Sequence, residues 1–166
     1  DLGLWSSHFI CKEPRTGKKT PWHEDSAYWN GRFDRFDSVV TLWLAIDESS
    51  KENGGMGVIP GSHHNGFSEY EKMDTDHSIF NIEIKKSAVD ESKVVWFELK
   101  QNHYSLHDSR IIHGANANTS EKRRTGYTMR YFNTDLVMNQ QHPDNINHKV
   151  YHCRGENRGN NPLIFL

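Results

Sequence analysis

Seven short segments in which β-branched and aromatic residues cluster between turn-forming stretches constrain this chain more than any other feature. They are WSSHFICK (5–12), SVVTLWLAI (38–46), GMGVIP (55–60), SAVDESKVVWFEL (87–99), YSLHD (104–108), RIIHG (110–114) and RTGYTMRYFN (124–133). The connections EPRTGKKTP, DESSKENGG, PGSHHNG and ANANTSEKRR supply the Gly, Asn, Asp and Pro that tight turns require. Helical periodicity is weak throughout, so the pattern predicts a mainly β fold, a sandwich or jelly roll.

Within SVVTLWLAI the period of two puts Val40, Leu42 and Leu44 on one face and Thr41, Trp43 and Ala45 on the other. A large aromatic among small neighbours suits the wall of a cavity. At 166 residues the chain is expected to form one domain. The stretch after Asn139 reads as a loop-like tail that wraps the core.

Several classes of function are disfavoured. Net charge is −2, and the one basic cluster, EKRRTGYTMR, is too short to track a phosphate backbone, which argues against a nucleic-acid partner. Nothing approaches the roughly 18 consecutive apolar residues of a membrane-spanning helix. The start DLGLWSSHF lacks a basic segment leading into an apolar core. Cys11 and Cys153 stand far apart with no CxxC, which disfavours a disulfide scaffold or structural zinc site and suits a reducing cytoplasm. No GxSxG elbow, GxGxxG, P-loop or HExxH occurs, so hydrolase and nucleotide-binding readings have no anchor.

Chemistry is suggested first by PWHEDSAYW (21–29). Side chains two apart on an extended segment point the same way, so His23 and Asp25 can converge on one ion while Glu24 faces away. With 11 histidines in the chain, that pair alone carries little weight. His113, at the end of RIIH and before a Gly/Asn-rich turn, offers a third ligand. Two imidazoles and one carboxylate form the facial set that suits non-heme Fe(II) and leaves positions open. Eleven residues further on, Arg124 could grip a carboxylate bidentately. The plainer reading makes Arg123, Arg124 and Arg130 a solvated basic face. Pro60 and Gly61 read as a turn, with Ser62 or His63 bonding nearby backbone and neither His63 nor His64 a ligand.

Taken together, GKKTPWHEDSAYW, VVTLWLAIDESSKENGGMGVIPGSH and SLHDSRIIHGANANTSEKRRTGYTMRY resemble the phytanoyl-CoA dioxygenase family of Fe(II)- and 2-oxoglutarate-dependent oxygenases. The resemblance covers roughly residues 8–133 and leaves 134–166 as the tail. It implies a double-stranded β-helix, with His23, Asp25 and His113 binding iron, Arg124 anchoring the distal carboxylate of 2-oxoglutarate, and Trp43 flanking that cosubstrate. It further implies that O2 is consumed, that succinate and CO2 are released, and that a small organic substrate is hydroxylated. Asp25 favours hydroxylation over the halogenation seen where a small residue replaces this carboxylate.

Two departures stand out. Ala115 replaces a serine that often helps hold 2-oxoglutarate, with Thr41 as a possible substitute, and the family's N-terminal region of several dozen residues has no counterpart here. Tyr28 and Trp29, just after the HxD pair, are candidate pocket walls. So is His107, six residues before His113 and on its face if the strand continues. Competing readings are a non-catalytic barrel that binds metal or a small acid, and a cupin-type isomerase or zinc hydrolase built on the same ligands.

Overall fold

The chain winds back and forth between two sheets in a computed structural model that describes residues 1–73, 76 and 78–166. Strand β1 (Leu2–Lys12) lies in the larger sheet, β2 (Thr20–His23) in the smaller, β3 (Val39–Ala45) in the larger and β4 (Met56–Val58) in the smaller. A hairpin of β5 (Tyr70–Lys72) and β6 (Ile82–Ile84) intervenes as a separate pair. The winding then resumes with β7 (Val95–Trp96) and β9 (His113–Ala115) in the smaller sheet, and β8 (Tyr104–Asp108) and β10 (Arg124–Asn133) in the larger.

The two orders, β1-β10-β3-β8 and β2-β9-β4-β7, are those of a double-stranded β-helix, the jelly roll expected from the sequence. The described residues hold one short helix, α1 (Asp25–Tyr28), and four single-turn 3-10 segments. None of these helices is long and apolar enough to cross a membrane.

The longest strands pair antiparallel at the centre of the larger sheet. β10 runs against β1 from Lys12↔Arg124 to Leu2↔Asn133, with one irregularity between Leu4 and Ser6, and against β3 from Gly126↔Ala45 to Phe132↔Val39. Thr41, Trp43 and Ala45 are buried while Val40, Leu42 and Leu44 are partly exposed, as the alternation predicts. Trp43 crosses directly over Gly126, where a Cβ would run into the indole ring.

Three expectations are corrected. In 87–99 only Val95 and Trp96 pair as a strand, because two 3-10 turns, Lys86–Ala88 and Glu91–Lys93, interrupt an otherwise β-rich run. Arg110–Ile112 forms a turn closed by the Ile111 N–H to the Asp108 carbonyl, and strand pairing begins only at His113. The region after Asn139 is more than loop: β11 (Val150–Arg154) pairs with β1, and β12 (Leu163–Ile164) pairs with β11.

One end of the sandwich is filled by Trp5, Trp29, Phe33, Phe36, Val39, Phe132, Leu136, Met138 and Val150. Phe132 is fully buried and its ring lies 5.2 Å from that of Phe33. A smaller cluster of Trp22, Ile59, Ile84 and Ile112 joins the hairpin to the smaller sheet. Replacing Phe132 with Ala should cost about 3 to 5 kcal/mol through lost transfer energy and the cavity left behind. A guanidinium titration should show the midpoint fall with an unchanged slope.

Candidate metal centre

His23 ends β2, His113 begins β9, and the two are register partners across the smaller sheet, so backbone pairing alone brings their rings to 4.1 Å between centroids. Asp25 follows one residue after the extended Glu24 (φ −111, ψ 128) and opens α1, whose Ser26 N–H is anchored on the Ser109 carbonyl. Because Glu24 stays extended, His23 and Asp25 share a side. Glu24 points away, as expected, and its buried carboxylate accepts from the Ser68 hydroxyl at 2.6 Å and the Tyr70 hydroxyl at 3.1 Å.

One ligand atom from each of His23, Asp25 and His113 lies within 4.8 Å of the others, the only such cluster of three or more among the described residues. Asp25 Oδ1 is 3.7 Å from His23 Nε2 and 3.9 Å from His113 Nε2. Each imidazole is held from behind, His23 Nδ1 on the Pro21 carbonyl at 2.8 Å and His113 Nδ1 on the Ile111 carbonyl at 2.9 Å. Carbonyls only accept, so both Nδ1 carry a proton, and Nε2 is the nitrogen of each ring turned towards Asp25. The turn before His113 is itself fixed, since the Ile112 N–H donates to the Ser62 hydroxyl at 2.8 Å.

The electrostatics suit a cation. Burial, reinforced by His23, pushes His113 well below the ordinary histidine value. Burial alone would raise the Asp25 carboxyl, but His23 and the Arg130 guanidinium outweigh it and hold it well below the usual carboxylate range. Two imidazoles and one carboxylate, all buried, are a donor set that fits a divalent metal.

The same cavity is lined by Thr41, Trp43, His107 and Arg124. Arg124 is buried; its Nε and Nη2 both donate to the Gly54 carbonyl, at 3.1 and 2.8 Å, and its guanidinium carbon stands 5.4 Å from the Trp43 ring. Gly54 presents that carbonyl from a left-handed turn (φ +82). No carboxylate among the described residues pairs with Arg124, and burial pulls its pKa down to about 10. Beside it, Lys12 is also buried, with Nζ bonded to the carbonyls of Lys18 (2.6 Å) and Asn116 (2.8 Å). Burial and Arg124 lower it to about 7. This end of the cavity therefore fits an anionic group such as a carboxylate.

Other candidates move. Thr41 donates to Asp25 Oδ2 at 3.3 Å, so its hydroxyl serves the carboxylate rather than replacing the serine absent at Ala115. The hydroxyl in register with Ala115 is Thr20, which lines the cavity. Trp29 is not a pocket wall: it packs into the core with its ring 4.4 Å from that of Trp5. Tyr28 stands edge-on to His23 at 5.8 Å, more than a third exposed and outside the cavity lining. His107 does reach the cavity, its ring 4.9 Å from that of His113, but across the sandwich from β8 and not along a continuing strand. Burial lowers it to about 4, and its Nδ1 has no hydrogen-bond partner. His63 and His64 lie outside the cluster, their ring centroids 3.9 Å apart and the planes tilted by 41°.

The arginines do not form a solvated face. Arg123 is outside, paired with Asp47 at 2.8 Å, whereas Arg130 lines the cavity and reaches Asp25 Oδ2 at 3.4 Å. That was legible: Arg124 and Arg130 are six apart on one strand, so turning one inward turns the other. Thr128 lies between them on the same face. Phe80, whose ring is 5.1 Å from that of His23, comes from a stretch with no strand pattern and left no such signal.

A buried set of two histidines and one aspartate that could hold a metal ion shares one cavity of a double-stranded β-helix with a buried cationic end. The profile of the phytanoyl-CoA dioxygenase (PhyH) family matches residues 2–126, and the chain belongs to that family. It is 33% identical over 132 residues to a phytanoyl-CoA dioxygenase domain-containing protein 1 homolog of Caenorhabditis elegans, covering 76% of this chain and 45% of the relative. It is 29% identical over 114 residues to a probable alpha-ketoglutarate-dependent hypophosphite dioxygenase of Stutzerimonas stutzeri, covering 68% of this chain and 39% of that protein. The chain thus spans less than half the length of these curated relatives.

Among solved structures, EvdO2 from Micromonospora carbonacea var. aurantiaca complexed with 2-oxoglutarate is 28% identical. Its TM-score is 0.69, over 83% of this chain and 53% of that one. The apo non-heme monooxygenase ThoJ shares the fold at 20% identity and TM-score 0.79, over 99% of this chain and 56% of that one. Family and neighbours together support the Fe(II)/2-oxoglutarate oxygenase class.

Unfolded histidines take up protons near pH 6.5, whereas folded His107 does so only near 4 and His113 well below its ordinary value. Between those limits the unfolded chain binds more protons, so stability is full above about pH 6.5 and falls as the pH is lowered. Asp25 contributes below the ordinary Asp range, outside that window. For the metal-free chain, roughly 2 to 3 kcal/mol from His107 alone should be lost between pH 7 and 4.5. Denaturant titrations at both pH values measure it, and His107→Asn should flatten the difference.

Proposed function

We propose that the chain is the core domain of an Fe(II)- and 2-oxoglutarate-dependent dioxygenase that hydroxylates a small organic substrate and releases succinate and CO2. The observation that carries this reading is the convergence of His23, Asp25 and His113 in one cavity with the buried, carboxylate-free Arg124. Fe(II) and 2-oxoglutarate, when bound, would supply with O2 as the oxidant an oxidative decarboxylation in which one oxygen atom enters succinate and the other hydroxylates the substrate carbon.

The protein's own part is binding, orientation and exclusion of water. His23 and His113 offer Nε2 because their Nδ1 protons are committed to carbonyls, and Asp25 offers the oxygen between them. Arg124, braced on Gly54 and Trp43, grips the distal carboxylate of 2-oxoglutarate, with Thr20 the hydroxyl in register with Ala115. Apolar Ile10, Met56, Ile79 and Phe80 line the same cavity and would keep water from the reacting carbon.

Anaerobic addition of Fe(II) and 2-oxoglutarate should raise the melting temperature. With O2 and ascorbate, slow succinate formation should follow even without substrate, and a panel of candidate substrates should accelerate it. Arg124→Met should weaken 2-oxoglutarate binding by about 10- to 100-fold, the effect of losing hydrogen bonds to a charged group. Metal and 2-oxoglutarate binding with no succinate under any condition would instead identify a non-catalytic binding barrel. Arg124→Met with unchanged activity and no thermal protection by 2-oxoglutarate would point to an isomerase or hydrolase.

A further inference from the structure

We infer that Arg130 and Thr41 are positioning residues that restrict Asp25 to one metal-facing oxygen, and thereby keep a coordination position of the centre open. The inference rests on the reading of that centre as a metal site, and it concerns residues to which neither the fold nor the ligand triad assigns this role.

The two oxygens of Asp25 have different surroundings. Oδ1 faces the imidazoles of the smaller sheet, 3.7 Å from His23 Nε2 and 3.9 Å from His113 Nε2. Oδ2 faces the larger sheet, where the Thr41 hydroxyl donates to it at 3.3 Å and Arg130 Nε at 3.4 Å. Turning the carboxylate so that both oxygens reached a metal between the imidazoles would break both of these contacts.

Neither donor is free to follow. Thr41 is β-branched, buried and in register with Arg130 across the β3–β10 pair, which restricts its rotamer. Arg130 donates through Nη1 to His8 Nδ1 at 2.9 Å, lies 3.4 Å from the Thr128 hydroxyl, and stacks its guanidinium carbon 5.3 Å from the Trp29 ring. With only 13% of its side chain exposed, Arg130 has little space for another rotamer.

Carboxylates ligate metals through one oxygen or both. A facial triad leaves three octahedral positions open only while its carboxylate uses one. A chelating cosubstrate takes two positions and dioxygen needs another, so a chelating Asp25 would leave the centre one short. The partners of metal ligands commonly set ligand orientation in this way.

The chain loaded with Mn(II) tests this, because the waters on Mn(II) can be counted by electron paramagnetic resonance line broadening in oxygen-17 water. The wild type should hold three exchangeable waters, and one after 2-oxoglutarate is added. The Thr41→Val/Arg130→Met variant should still bind Mn(II) but hold two waters, and none with 2-oxoglutarate. Arg130→Lys, which keeps a donor, should hold three. Thr41→Val alone, nearly isosteric, provides the same comparison if the double variant fails to fold, with loss of a water expected in at least a fraction of molecules. Three waters in every folded variant would overturn the inference while leaving the metal site standing. Failure of the wild type to bind Mn(II) at all would overturn the parent reading, and the inference with it.

Discussion

The register of β10 in the larger sheet is the constraint on which the rest of the structure depends. Its inward side chains are Arg124, Gly126, Thr128, Arg130 and Phe132, in that order along one strand. They supply, in sequence, the cationic end of the cavity, the gap that Trp43 fills, a cavity hydroxyl bonded to the His8 carbonyl, the guanidinium at the Asp25 carboxylate, and the plug of the main core. A slip of one residue would expose all five and bury Arg123, Thr125, Tyr127, Met129 and Tyr131 instead. Ten partner pairs with β1 and seven with β3 hold it in place. The apolar core thus enforces the register, and the register builds the polar site.

The site in turn shows how a polar cluster is made tolerable inside a protein. The imidazoles of His23 and His113 each have a carbonyl behind them, and the Asp25 carboxylate has a guanidinium and a hydroxyl at its outer oxygen. Three ligand atoms face one another and, further along the cavity, Arg124 stands without a carboxylate among the described residues. Glu24, between the two ligands of the HxD pair, extends the arrangement outward by holding Ser68 and Tyr70, which lead into the β5–β6 hairpin that carries Phe80 towards His23.

Much of this was legible from local pattern. The strands YSLHD and RTGYTMRYFN, the two faces of β3, and the convergence of His23 with Asp25 follow from the period of two. The errors have equally local causes. SAVDESKVVWFEL is rich in strand formers, yet Asp90 caps the turn Glu91–Lys93 by accepting from the Ser92 N–H, and that turn interrupts the pairing. Trp29 follows the HxD pair in sequence, but α1 turns it into the core. Arg130 was assigned to solvent although the alternation that turns Arg124 inward applies equally to it.

The sequence by itself determined the elements and their chemistry, because side-chain alternation and turn propensity act over a few residues and the HxD pair, distal His and Arg lie within such stretches. Only the tertiary structure decided which groups meet across the sandwich: His107 with His113, Thr41 and Arg130 with Asp25, Phe80 with His23. Those contacts join residues from different strands and sheets. They are set by the stacking of two sheets and the path of an inserted hairpin, and neither leaves a period in the chain.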